Sequence, residues 1–299
     1  MLSSIKNALH NIIDNQIENH ILNEKLLSYV DYQFKKGFPF GELLLLHYEM
    51  FNGRENEEIY SVAAAIELLI LSSDILDDIQ DGDTTEKPWS MQPSIALNAT
   101  TTMLLLCIET IRKTNFQHKE KSISVIFEYS IKAITGQHKD LLNTCRSEET
   151  YLKMIAEKSG SLVAIACLVG AILACGESIK EVETYATYIG LIGQITNDLS
   201  DIQKWDKKND VLTKKYSLPI IYLLNNPDVD MHFLHDYYND RINQSEIVNK
   251  SEQISDKFVN SGALIYTNVL KKIYQNKVLI ELKKLDINQI YVNQLVKYI

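Results

Sequence analysis

A chain of 299 residues with a formal net charge of −9, a pI near 5.3 and scattered basic residues excludes nucleic acid as its main partner, because a phosphate backbone would be repelled overall. With only 11 glycines and 5 prolines, turn-formers are too scarce for many short strands, and long helices are expected instead. No composition shift or polar linker divides residues 1–299, so they read as a single all-helical domain.

The first segment, MLSSIKNALHNIIDNQIENH, interrupts its hydrophobicity with Lys6, Asp14 and Glu18, which argues against a signal peptide. Its Ile5, Leu9, Ile12 and Ile13 recur at helical spacing, and the same period runs along most of the chain. Breaks at 37–39, 52–53, 82–88, 225–227 and 260–262 leave room for roughly ten or more helices. His47, within Leu43-Leu-Leu-Leu-His47-Tyr-Glu, is expected to be a hydrogen-bonded core histidine rather than a base. Residues 62–79 and 161–175, the latter continued after a break by 185–195, are apolar nearly all round, which marks helices with neighbours on several sides. The 161–175 stretch is shorter than the roughly 20 residues a membrane span requires, so a buried core helix is expected and membrane contact is not indicated. Cys107, Cys145, Cys167 and Cys175 lack CxxC spacing and sit mostly in apolar runs, which suits buried, reduced thiols and a cytoplasmic location.

The ends of the two apolar helices are unusual. AAAIELLILSSDILDDIQDGD places Asp77, Asp78 and Asp81 in the last turn before Gly82, with Asp77 and Asp81 on one face. Like charges at that spacing repel by roughly 0.2–0.5 kcal/mol, and each anion opposes the helix dipole by about 0.3–1 kcal/mol. GLIGQITNDLSDI repeats the arrangement with Asn197, Asp198 and Asp201, spaced so that all can look the same way. The doubled penalty asks for a cation. Oxygen ligands on helices suit magnesium, which keeps several waters and is usually completed by substrate phosphates. Neither cluster has the ligand alternation of a calcium loop.

These motifs resemble those of the trans-isoprenyl diphosphate synthase family, whose two aspartate-rich motifs have the form DDxxD. Asp77-Asp78-Ile-Gln-Asp81 matches the first in full, and Gln194-Ile-Thr-Asn197-Asp198-Leu-Ser-Asp201 matches the second except at Asn197. Gly136-Gln137-His-Lys-Asp140, Lys158-Ser-Gly-Ser-Leu162 and Lys215-Tyr-Ser217-Leu218-Pro219 fall in the family's order. The resemblance implies an all-α bundle of the isoprenoid synthase type around a central deep cavity, usually as a homodimer. It implies that Asp77, Asp78, Asp81, Asp198 and Asp201 serve catalysis, with Asp77, Asp81, Asn197, Asp198 and Asp201 as magnesium ligands. Lys158, Gln194 and Lys215 would bind the diphosphate of an allylic isoprenoid substrate, and Ser72, Ser73 and Gln137 would border the prenyl chain.

Family members that add isopentenyl diphosphate carry a Gly-Lys-Arg segment before the first motif, a histidine in its helix and an arginine pair after it. Here the corresponding stretches read Phe34-Lys35-Lys36-Gly37-Phe38-Pro39 and Glu67-Leu68-Leu69-Ile70, and no arginine occurs between Arg54 and Arg112. The site for a second diphosphate looks dismantled, so the acceptor is expected to carry little negative charge. The stretches 70–78, 136–138 and 158–162 are similar to the subgroup that prenylates a tryptophan of a competence pheromone precursor peptide. That likeness implies attack by indole C3 on the allylic cation, ring closure by a peptide nitrogen and release of diphosphate. A chain-elongating synthase, a terpene cyclase and an inactive regulatory subunit are the alternatives.

Overall fold

Proline and glycine set the limits of several helices. In the computed structural model, which describes residues 1–82, 87–205, 209–227 and 229–299, prolines occupy the first turns of three helices, and Gly82, at φ +68°, follows the first acidic helix. Among the described residues fifteen α-helices follow one another: α1 (Leu2–Gln16), α2 (His20–Phe34), α3 (Pro39–Met50), α4 (Glu58–Gln80), α5 (Pro93–Lys113), α6 (Lys119–Leu141), α7 (Glu148–Ile155), α8 (Ser161–Cys175), α9 (Lys180–Asp201), α10 (Leu218–Asn225), α11 (His232–Tyr238), α12 (Gln244–Val248), α13 (Ser251–Asn260), α14 (Ala263–Leu282) and α15 (Gln289–Leu295). A π-helical turn, Ala156–Gly160, joins α7 to α8, and no strand occurs among the described residues. Of the break expected at 82–88, residues 83–86 lie outside the described residues.

Contacts group the chain into two compact units, residues 1–131, 162–186 and 284–297 in one, and 132–161, 187–283 and 298–299 in the other. The first is built around α4, whose residues 62–72 are all buried and which packs against α1, α3 and α5. Its all-round apolarity has this cause: neighbours on several sides leave no face for polar groups. Helix α1 turns Ile5, Leu9, Ile12 and Ile13 inward. Helices α3 and α8 touch at Gly170, where an added Cβ would lie 2.3 Å from the Leu44 carbonyl oxygen.

Two buried polar groups lock this unit together. His47 is fully buried, with Nδ1 2.6 Å from the Leu43 carbonyl oxygen and Nε2 2.7 Å from the Tyr185 hydroxyl. Nδ1–H donates to the carbonyl, so Nε2 accepts from Tyr185, and burial holds the imidazole at a pKa of about 4. The expected core histidine is what the structure contains. Glu67, also buried, accepts the Gly41 N–H at 2.5 Å. That amide lies in the first turn of α3, where helix donors have no partner of their own. Burial pushes the Glu67 carboxyl up to about 8 against the opposing pull of these backbone donors.

The second unit has its own core, with Ile202, Val211, Ile220, Leu234, Tyr237 and Phe258 among its members. Helix α14 packs on α10 and α13 there. Helices α4, α5 and the 148–175 run are long and apolar enough to cross a membrane, and 72%, 44% and 72% of their most apolar windows are buried in protein. All four cysteines are free, but Cys175 is exposed, contrary to the expectation of burial, because it ends α8 just before Gly176.

A pH dependence follows from His47. The unfolded imidazole takes up a proton below about pH 6.5 while the folded one resists until about 4. Stability present above pH 6.5 is therefore lost as pH falls toward 4, by up to about 1.4 kcal/mol per pH unit. Glu67, which holds its proton up to about 8, contributes the opposite slope over the same range, so the test is a difference between two proteins: in urea melts the stability lost by His47→Gln is expected to be largest at pH 7 and to shrink by this slope at pH 6 and 5.

Candidate active site

In the first unit the acidic end of α4 has two roles for its carboxylates. Asp77 and Asp78 lie in the last turn and Asp81 follows as the capping residue, its N–H donating to the Asp77 carbonyl at 2.8 Å. Both oxygens of Asp78 are engaged, by Lys87 Nζ at 2.5 Å and by the Trp89 indole N–H at 2.8 Å. Trp89 is itself held edge-on by the rings of Tyr29 and Tyr32 on α2, at centroid distances of 5.5 and 5.3 Å. Asp78 is thus fixed in place by protein donors.

Asp74 joins this cluster one turn earlier. It reaches solvent from a crowded recess, and the surrounding protein, then the charges of Asp77 and Asp78, raise its carboxyl to about 7. Sequence reasoning missed it, although the spacing in Ser72-Ser-Asp74-Ile-Leu-Asp77-Asp78 puts all three acids on neighbouring positions of one helix face. Ser72 and Ser73 both donate their hydroxyls back to the Leu69 carbonyl, at 2.7 and 3.0 Å. Satisfied in this way, they present small side chains with no polar demand.

In the second unit glycines mount the basic groups. A Cβ on Gly136 of α6 would lie 2.3 Å from the Lys158 backbone nitrogen, and one on Gly190 of α9 would lie 2.5 Å from Gly160 Cα. Only hydrogen at these positions lets α6 and α9 close on the π turn that carries Lys158, an irregularity of a kind common at functional sites. Lys158 Nζ donates to Asp140 Oδ2 at 2.7 Å, and Lys215 Nζ lies 3.6 Å from the same oxygen. Burial alone would raise the Asp140 carboxyl, but the two ammonium groups outweigh it and hold it below its ordinary value. Lys215 is placed by its neighbours: Asn143 donates to the Lys214 carbonyl at 2.7 Å and accepts the Tyr216 N–H at 3.1 Å. Gln137 is half-buried on α6 between Gly136 and Asp140.

The second acidic motif divides. Asp198 points inward, 3% exposed, and accepts from the Tyr151 hydroxyl at 2.6 Å, the Leu218 N–H at 3.3 Å and Gln194 Nε2 at 3.2 Å. Burial pushes its carboxyl up to about 6 in spite of these donors. Asn197 is exposed and Asp201 half-buried at the end of α9, so the three do not all look the same way. Adjacent positions on a helix are about 100° apart, and the buried Tyr151 hydroxyl claims Asp198. Gln194 links Asp198 to the π turn, its Oε1 accepting the Ser159 hydroxyl at 3.2 Å. Asp210, raised to about 7 by burial and then by Asp198, was not expected from the sequence. Neighbouring Asn209 donates to the carbonyls of Asp201, Ile202 and Lys204 and so closes the end of α9.

Among the described residues no three or more His, Cys, Asp or Glu side chains are grouped so as to hold a metal ion by themselves. Carboxylate and carboxamide oxygens grouped near the ends of α4 and α9 are the donor type that fits a hard divalent cation completed by water and phosphate oxygens. Two surface pockets, of about 480 and 580 Å³, are lined by none of the site residues expected from the sequence.

With this fold and these groups in view, the comparisons with known proteins agree. The model of the polyprenyl synthetase family matches residues 26–254, and the chain belongs to that family. It is a prenyltransferase. Tryptophan prenyltransferase ComQ of Bacillus subtilis subsp. natto (strain BEST195) is 36% identical over 97% of this chain and 90% of its own length. The crystal structure of a geranylgeranyl pyrophosphate synthase superposes with a TM-score of 0.84 at 21% identity, covering 99% of this chain and 96% of the other. That of polyprenyl synthase from Caulobacter crescentus CB15, complexed with calcium and isoprenyl diphosphate, does so with 0.81 at 18% identity, covering 99% and 92%.

Gly136→Ala tests the mounting of Lys158. The added methyl cannot coexist with the Lys158 backbone, so prenyl transfer is expected to fall at least about tenfold, the effect of misplacing a binding group by a fraction of an ångström. Circular dichroism should retain its helical signal, and unchanged transfer would show that Lys158 does not need this contact.

Proposed function

We propose that this prenyltransferase moves an isoprenyl group, farnesyl or geranyl, from an allylic diphosphate to a tryptophan side chain of a pheromone precursor peptide, in the cytoplasm, as part of quorum sensing. The observation that carries the reading is the end-to-end similarity to a tryptophan prenyltransferase, 36% identical over 97% of the chain. The absence of arginine between Arg54 and Arg112 is consistent with it, since an uncharged acceptor needs no second diphosphate site.

Lys158 and Lys215, converging on Asp140, take the leaving diphosphate, with Gln194 holding the turn beside them. Asp77, Asp81, Asn197 and Asp201 are the proposed magnesium ligands, and Asp74 adds charge to the first group. Asp78 and Asp198, whose oxygens already accept protein donors, act as positioning groups. Magnesium, when bound, supplies Lewis-acid stabilisation of the diphosphate; a neighbour of the same fold holds calcium together with isoprenyl diphosphate. The allylic C–O bond breaks and its electron pair leaves with the diphosphate. Indole C3 supplies the pair for the new C–C bond, and a peptide nitrogen closes on C2 with loss of its proton. The prenyl chain lies beside Ser72, Ser73 and Gln137. A homodimer is supported by an exposed apolar face on α6, where Phe127, Ile131 and Ile134 are 54%, 64% and 68% exposed.

Mass spectrometry of tryptophan peptides incubated with enzyme, magnesium and each allylic diphosphate is expected to show a prenyl mass gain that EDTA abolishes. Lengthened allylic diphosphate in the presence of isopentenyl diphosphate, without peptide modification, would instead identify a chain-elongating synthase. Asp77→Asn should lower kcat about 100-fold, the scale for removing a group that stabilises transition-state charge. Asn197→Asp should keep or improve magnesium affinity, and a large loss in a metal titration would remove Asn197 from the ligands.

A further inference from the structure

A groove of about 580 Å³ in the first unit is lined along one side by Asn7, Asn11 and Asn15, at intervals of four residues on α1. All three side chains are exposed, and none makes a hydrogen bond among the described residues. Asparagine is a poorer helix former than alanine, so three in register bring no gain to the fold. Tyr60, Glu57 and Lys113 line the groove as well. Lys113 is already held by Glu109 and Gln16, at 3.3 and 3.1 Å, so the carboxamides are the groups the groove offers a ligand.

The spacing identifies the ligand class. Residues four apart on a helix rise about 6.0 Å, and alternate residues of an extended chain repeat every ~6.6 Å. A carboxamide offers both a donor and an acceptor, the complement of a peptide unit, so successive amides can pair with every second peptide group. The volume falls within the roughly 300–1,000 Å³ of ligand-binding pockets. From Tyr60 to Asp77 along α4 is about 25 Å, at about 1.5 Å per residue, too far for the groove to hold the reacting side chain.

We propose that this asparagine ladder is a docking groove for an extended segment of the peptide substrate, at least about seven residues away from the modified tryptophan. The inference rests on the peptide-acceptor reading above. The groove captures the peptide main chain, leaves its side chains largely unread, and raises the local concentration of the tryptophan at the acidic end of α4.

The test compares wild type with the triple variant Asn7→Ala, Asn11→Ala and Asn15→Ala, using the tryptophan peptide that gains mass, both at full precursor length and cut to the few residues around the tryptophan. The variant should melt no lower than wild type, since alanine is the better helix former. Its KM for the full-length precursor should rise at least tenfold, with kcat, the KM for the allylic diphosphate and all constants for the short peptide unchanged. A photo-crosslinking residue in place of Tyr60 should label the precursor away from its tryptophan. Equal KM values for the long precursor in both proteins, or labelling confined to the tryptophan region, would overturn the groove while leaving tryptophan prenylation standing. No mass gain on any peptide with the wild-type enzyme would overturn both.

Discussion

Negative charge gathered at helix C-termini is the constraint on which this molecule depends. A helix already presents the negative ends of its peptide dipoles there, and α4 adds Asp74, Asp77, Asp78 and Asp81 to them. The surrounding protein, and then the charges of Asp77 and Asp78, push the Asp74 carboxyl up to about 7. Such a site is poor at holding an anion by itself and well suited to holding one through a divalent cation.

Within each unit some carboxylates are committed to protein donors. Asp78 is tied to Lys87 and Trp89, and Asp198 is enclosed by Tyr151, Leu218 and Gln194. Asp140 does something different again. One buried carboxylate draws together Lys158 and Lys215, which keeps two long, flexible side chains ordered before any substrate arrives. Much of the entropy of fixing the lysines is thereby lost during folding rather than at binding.

Close packing is what makes this arrangement possible. Gly136 and Gly190 admit the π turn at distances no side chain would allow, and Gly170 brings α8 onto α3 in the same manner. Glu67, in the stretch where a substrate-binding histidine was expected, is buried and caps the first turn of α3, so it holds α4 and α3 together.

Much of the plan was legible in the residues alone. Period 3.6, few glycines and prolines, and two apolar helices ending in acids set the all-α class and pointed to Asp77, Asp81 and Asp201, because those features depend on neighbours within a turn or two of helix. The rest was decided by tertiary contact. That Asp78 meets Trp89, that Asp198 turns away from Asn197 toward Tyr151, that Asn143 holds the backbone on either side of Lys215, and that Glu67 caps α3 all require segments distant in sequence to approach within hydrogen-bond range. Local spacing can assign a residue to a helix face, but which groups that face meets depends on how whole helices pack, and no short window of sequence contains that information.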